Sequence, residues 1–223
     1  MNSKNSKITL GYGQGCLDLM IGEGAEVVLA EELAAAPAGE VERSIDHAQG
    51  KNLDDFAGSK SASILVSDIT RPAPSHLMLP PLIQRLKSLG IARLKIVFAL
   101  GTHRKMTSVE ERRLLQDCTS LPYMQHDPRK CVSLGETRMG TPVEILDTVA
   151  SSDLVVATGN IEYHYYAGYS GGGKAVLPGV SSERSVIKNH ELMRDPNSIT
   201  GDWTALCART WRTRQRLPGW ISF

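Results

Sequence analysis

Four cysteines, Cys16, Cys118, Cys131 and Cys207, are scattered through 223 residues with no C-x-x-C pair among them. That spacing argues against a zinc knuckle, a thioredoxin-type couple or a disulfide framework and predicts reduced, structural thiols. No run approaches the roughly 18 apolar residues that cross a bilayer, and the opening MNSKNSKITLGYGQG lacks the apolar core of a secretory signal. An excess of either charge is also missing: 25 Lys+Arg stand against 24 Asp+Glu, a net charge of +1. No global field therefore recruits nucleic acid or an anionic membrane, and any anion site must be local. The expectation is a cytoplasmic protein that contacts neither nucleic acid nor membrane. With 41% hydrophobic residues and only 11 prolines the chain is a folded one, long enough for one large or two small domains.

The chain changes character near residue 200. Trp203, Trp211 and Trp220 are its three tryptophans, and the same final stretch carries Arg209, Arg212, Arg214 and Arg216 against one acid, Asp202. The tail shows neither a 3.6-residue period nor strand alternation, which suits a basic surface helix or a disordered end. Reading the codons from Trp203 onward two nucleotides later permits a different segment, with acids in its first turn, an alanine body and a glycine stop. The expectation is thus a division into residues 1–200, a cofactor-binding domain, and 201–223, an aberrant tail produced by a frameshift near residue 201.

Before that point, apolar runs alternate with helical patterns. Ala62–Ser67 is a buried strand that opens into Asp68-Ile69-Thr70-Arg71-Pro72. A helix is predicted from about Pro80 to a stop at Gly90, followed by a second buried strand over Leu94–Leu100 leading into Gly101-Thr102-His103-Arg104. Ser108 and Glu111 form a capping box for the next helix. Val143–Leu146 and Asp153–Thr158 are further strands, the latter ending in Gly159-Asn160, and Ser181 or Ser182 caps a last helix through ERSVIKNHELMR. This is the grammar of an α/β domain, with a Rossmann-like, mainly parallel sheet flanked by helices. Ligands in such folds bind beyond the carboxyl ends of the strands. Asp68/Thr70/Arg71, His103/Arg104 and Asn160/Glu162/His164 are therefore expected around one crevice.

The segment Gly168-Tyr-Ser-Gly171-Gly172-Gly173-Lys174-Ala175 fits a phosphate loop except at its last letter, where Ala175 replaces the hydroxyl that would hold magnesium. Nucleotide hydrolysis is disfavoured. Backbone N–H groups at Gly171, Gly172 and Gly173 still suit an anion beside Lys174, such as a phosphate-bearing cofactor; a flexible turn with a solvated lysine is the alternative. Of six histidines, His47, His76 and His126 read as ordinary surface or core groups, since no metal-ligand spacing joins them. His103 and His164 follow strand ends and suit a pair of acid/base groups. His190, on the last helix, is able to point back to the same crevice. Asp68 and Arg71 either hold a ligand through hydroxyl and carboxylate or phosphate groups or pair with each other.

Taken together, SDITRP (Ser67–Pro72), ALGTHRKMT (Ala99–Thr107), GNIEYHYYAGYSGGGKAVLPG (Gly159–Gly179) and NHELM (Asn189–Met193) closely resemble the amino-terminal domain of the nickel-pincer lactate racemase family over about residues 7 to 200. The resemblance implies a nickel pincer nucleotide, a pyridinium mononucleotide whose two sulfur-containing groups clamp nickel through S, C and S. It implies a thioamide link to the lysine at Lys174, a nickel ligand at His190 and alternating bases at His103 and His164. Asp68, Thr70 and Arg71 match a loop that contacts cofactor or substrate. The substrate implied is lactate or another small 2-hydroxy acid, and the implied partners are the cofactor-synthesis proteins. Two departures stand out: Gly173 lies where many relatives carry a larger, often basic residue, and the family's second, carboxy-terminal domain has no counterpart here. The implied activity is an isomerase whose amino-terminal domain alone is incomplete. The alternatives are a racemase or epimerase for another 2-hydroxy acid and a non-catalytic domain that binds a phosphate-bearing ligand.

Overall fold

A computed structural model describes residues 6–22, 24–28, 34–46, 52–202 and 220–222. The chain forms two compact units, residues 1–37 and 38–223. The first contains an antiparallel hairpin of β1 (Ser6–Tyr12) and β2 (Gly15–Ile21). Its register puts Ile8 opposite Leu19 and Leu10 opposite Leu17 on one face, with Thr9 opposite Asp18 on the other. That alternation is the period-2 pattern of a two-faced strand pair. Lys7 closes an ion pair to Asp18 at 2.8 Å.

The second unit begins with α1 (Glu40–Asp46) and then builds β3 (Ser61–Ser67), α2 (Ser75–Ser88), β4 (Arg93–Ala99), α3 (Ser108–Leu115) and β5 (Tyr123–Gln125). It continues through β6 (Cys131–Glu136), β7 (Pro142–Leu146), α4 (Asp147–Ala150), β8 (Leu154–Ala157), β9 (Tyr163–His164), β10 (Gly168–Tyr169), α5 (Glu183–Glu191) and β11 (Trp220–Ser222). One sheet runs in the order β11-β8-β3-β4-β5, and all its pairings are parallel. The mainly parallel α/β sheet expected from the sequence is the fold.

Its strands are apolar runs because both faces are covered. Ile64, Val66, Ile96, Phe98, Leu154 and Val156 pack with Leu79, Leu82 and Leu86 of α2 and Leu115 of α3. The alternate residues Leu65, Val97, Val155 and Ala157 pack with Ile145, Leu146, Val149, Val176 and Val180 on the other side. From β3 the chain steps outward to β4 and β5, then returns to place β8 on the opposite flank of β3. The direction of winding reverses between β3 and β8, the place where parallel α/β sheets bind their ligands, beyond the carboxyl ends of the strands. Among the described residues no helix is long and apolar enough to cross a membrane.

Three local expectations shift, and one choice left open is settled. Helix α2 starts at Ser75, five residues before Pro80, so Pro80 and Pro81 lie inside it. Each proline removes an N–H that would bond four residues back. The carbonyls left without that partner belong to His76 and Leu77, residues that are respectively half-buried and exposed and hence within reach of water. The capping box of α3 is Thr107 with Glu110 instead of Ser108 with Glu111: Glu110 N–H donates to the Thr107 hydroxyl at 3.3 Å and Thr107 N–H donates to the Glu110 carboxylate at 2.8 Å. Ser182, not Ser181, caps α5, accepting from Ser185 N–H at 3.1 Å. Strand β7 lies outside the parallel sheet, in a hairpin with β6. Of the tail, residues 203–219 fall outside the described residues, and with them the central part of the expected aberrant segment. Trp220–Ser222 pairs parallel with Val155–Ala157 of β8.

Candidate functional site

Three loops leave the carboxyl ends of β3, β4 and β8. After β3, Asp68 is buried at 3% exposure and closes a turn in which Arg71 N–H donates to its carbonyl at 3.1 Å. Thr70 donates to one carboxylate oxygen of Asp68 twice, from its N–H at 2.8 Å and from its hydroxyl at 2.5 Å. The other oxygen faces Nδ1 of His103 at 2.7 Å. Burial pushes the Asp68 carboxyl up, but the bonds from Thr70 and His103 outweigh it and hold it below the usual carboxylate range. The carboxylate is thus ionised and accepts, so His103 Nδ1 is the donor, and in the neutral ring the lone pair lies on Nε2. In Thr70→Val the hydroxyl bond disappears while burial persists, and the Asp68 pKa is expected to rise; carboxyl-carbon NMR titration reads the shift directly.

The loop after β8 folds back on the glycine bend. Ser170 N–H donates to Glu162 carbonyl at 2.8 Å, Glu162 N–H donates to the Ser170 hydroxyl at 2.9 Å, and that hydroxyl donates to the Asn160 carbonyl at 3.0 Å. Gly171 then takes φ +80° with Asn160 O and Ile161 Cγ1 only 3.2 and 3.1 Å from where a Cβ would stand. The close approach and the left-handed backbone both require glycine there. Gly172 also has positive φ, at 49°, and Gly172–Ala175 forms one turn of 3-10 helix that carries Gly173 and Lys174. Burial, reinforced by the positive Arg71, lowers the Lys174 amine to about 8, with Glu162 opposing. An amine so shifted is unprotonated in a sizeable fraction near neutral pH and is a nucleophile in that form.

His164 sits beside this lysine. Burial lowers it to about 4, and the positive charges of Lys174, Arg71 and His190 add to the effect. It is neutral at pH 7. Ala167 N–H donates to its Nδ1 at 3.3 Å, so the proton resides on Nε2. The ring stacks on Tyr165 at 4.8 Å and meets the edge of Tyr166 at 4.6 Å, and Tyr166 in turn meets His190 at 5.4 Å. On α5, Nδ1 of His190 bonds to the carbonyl of Val186 at 2.7 Å. As donor to that carbonyl it leaves Nε2 available as a ligand atom.

Asp68, Thr70 and His103 therefore form one group, and Lys174, His164 and His190 another. Arg71 joins them, since it follows Thr70 and pairs with Glu162 at 3.9 Å. Asp68 and Arg71 do not pair with each other, the alternative left open by the sequence. Arg104 turns aside to Glu110 at 2.6 Å. Tyr166, 7% exposed between His164 and His190, is a member that motif reasoning passed over, though the aromatic-rich HYYAGY preceding the glycines was its signal. His76 is half-buried, His126 is a core residue, and His47 lies outside the described residues. Among the described residues no cluster of three or more His, Cys, Asp or Glu could hold a metal ion.

Residues 12–201 match the model of the lactate racemase N-terminal domain family. The chain is 35% identical over 172 residues to a lactate racemase of Lactiplantibacillus plantarum, covering 73% of this chain and 41% of that one. It is likewise 35% identical over 171 residues to a lactate racemase of Thermoanaerobacterium thermosaccharolyticum, covering 72% and 40%. The structure of the lactate racemase apoprotein from the latter organism superposes with a TM-score of 0.74 at 28% identity, over 92% of this chain and 52% of that one. The chain spans about two fifths of the length of the curated relatives it matches. With the family model covering most of its length, the chain belongs to the lactate racemase N-terminal domain family.

Proposed function

We propose that this chain is the cofactor-carrying half of a racemase for lactate or a similarly small 2-hydroxy acid, loaded with a nickel pincer nucleotide through Lys174. The observation that carries the reading is the neighbourhood of His164, whose proton affinity is depressed jointly by burial, Lys174, Arg71 and His190. A modifiable amine, a metal-ligating imidazole and an acid/base imidazole then serve one reaction. The residues suit the group: Lys174 supplies a depressed amine for the thioamide, and His190 a single nitrogen, which is all that is needed where the pincer already provides three donors. When bound, the pincer nucleotide supplies an electron-poor carbon able to take and return hydride at C2 of the substrate.

The remaining work falls to the chain. Arg71 offers its fork to the substrate carboxylate. His103, with its proton held on Nδ1 by Asp68, presents a basic Nε2 that removes the hydroxyl proton as the 2-keto acid forms. His164 is the second acid/base group: protonated from solvent, its imidazolium gives a proton to the oxygen as the opposite enantiomer forms, and the proton taken by His103 returns to solvent. The two imidazoles are set in opposite protonation patterns by their second nitrogens, Asp68 accepting from one and Ala167 N–H donating to the other.

Intact-mass measurement after co-expression with the cofactor-synthesis proteins tests the reading. The expected result is a covalent adduct in the wild-type chain, absent in Lys174→Ala and retained without stoichiometric nickel in His190→Ala. A chain that stays unmodified under conditions that load a full-length relative overturns it.

A further inference from the structure

We propose that Met106, gripped by Gln125, is the positioning residue that holds the Asp68–His103 pair in register; its bearing on catalysis rests on His103 being the base. Asp68 and His103 stand on different loops, after β3 and β4, and their 2.7 Å contact requires those loops to keep a fixed separation. Three residues beyond His103, the buried Met106 accepts at its sulfur the N–H of Ile69, the neighbour of Asp68, at 3.4 Å. The thioether thus supplies a partner for a half-buried N–H that would otherwise lack one.

Met106 is itself fixed from a third strand. Gln125, the last residue of β5, accepts from Met106 N–H at 2.8 Å and donates to Met106 carbonyl at 2.9 Å. Its second donor bond goes to the Glu111 carboxylate of α3 at 2.8 Å. Met106 offers one backbone donor and one backbone acceptor, and Glu111 only an acceptor, so the amide has a single orientation that satisfies all three. The ends of β3, β4 and β5 are thereby stitched together in sheet order. A sulfur acceptor is weak and polarisable, which makes the stitch a device for alignment more than for stability.

Two variants test it in the isolated chain, without cofactor. Met106→Leu keeps the volume and removes the sulfur, and Gln125→Leu removes the grip. The measured quantity is solvent exchange of the His103 Nδ1 proton, with the ring tautomer read from long-range proton–nitrogen correlation. Loss of one such bond is expected to speed exchange about tenfold through local opening of the Asp68 contact, while the urea midpoint of Met106→Leu moves little. Unchanged exchange and an unchanged tautomer signal in Met106→Leu overturn the proposal, even if stability falls. Should Gln125→Leu fail to fold, Met106→Leu alone decides. An unmodified Lys174 would instead count against the racemase reading and leave this measurement intact.

Discussion

Alanine at Gly179 is expected to cost the second unit about 3 kcal/mol, the upper end of the range for forced overpacking and backbone displacement. A Cβ there would land on the carbonyl oxygen of Ala175 and within 2.8 Å of its Cα. These are backbone atoms that cannot rotate away as a side-chain tip would. The segment is also pinned from both sides: Gly179 N–H donates to Lys174 carbonyl at 2.9 Å, and Gly179 carbonyl accepts from Gly101 N–H at 2.8 Å. Relieving the clash therefore displaces either the backbone of Lys174 or the start of the loop that carries His103. Thermal unfolding should show a midpoint lower by roughly 6–12 °C, given about 2–4 °C per kcal/mol for a chain of this size. The Gly11→Ala variant, where a Cβ meets nothing within 4 Å, should leave the midpoint nearly unmoved. A Gly179→Ala protein that melts within a degree or two of wild type would show that the turn relaxes without strain.

The consequence of that turn for function could not be read from the residues, although much else could. Strands β3, β4 and β8 announce themselves as short apolar runs because both of their faces meet buried side chains. The polar clusters at their ends follow from the rule that parallel strands deliver ligand-binding residues at the same end. Strand β5 gives no such signal: Tyr-Met-Gln is three residues long, exposed at Tyr123 and half-buried at Met124 and Gln125, so neither a run nor an alternation exists to detect. The start of α2 is hidden for another reason. Pro80 and Pro81 weigh against a helix locally, and only the packing of Leu79, Leu82 and Leu86 against the sheet compensates. Among site residues, His103, His164, Lys174 and His190 are chemically conspicuous. Asp68 was visible too, but its partner was not, because a choice between Arg71 and His103 depends on the spacing of two loops. Met106 and Gln125 carry no reactive group, and their roles exist only once β3, β4 and β5 are neighbours.

Lowering the pH from 7 to 5 is expected to destabilise the chain by about 2 kcal/mol through His126 alone. His126 follows β5, bonds through its N–H to Phe98 carbonyl at 3.1 Å and is 1% exposed. Its Nδ1 has no hydrogen-bond partner among the described residues, and its Nε2 lies 4.0 Å from the Cys131 sulfur. Burial lowers it to about 4 against an ordinary 6.5, a shift resisted by Asp127 and the backbone of Gly101 and Ser181. Between those two values the unfolded chain binds a proton that the folded chain refuses, so stability falls as the pH falls through that window and the full loss, roughly 3 kcal/mol, is reached below pH 4. His164 is lowered to about 4 as well and acts in the same direction, so the two must be separated by mutation. Urea denaturation of His126→Gln should recover about 2 kcal/mol of the difference between pH 7 and pH 5, leaving the share of His164 and of other titrating groups. An undiminished pH dependence in that variant, or a His126 ring that titrates near 6.5 by NMR in the wild-type protein, would refute the assignment.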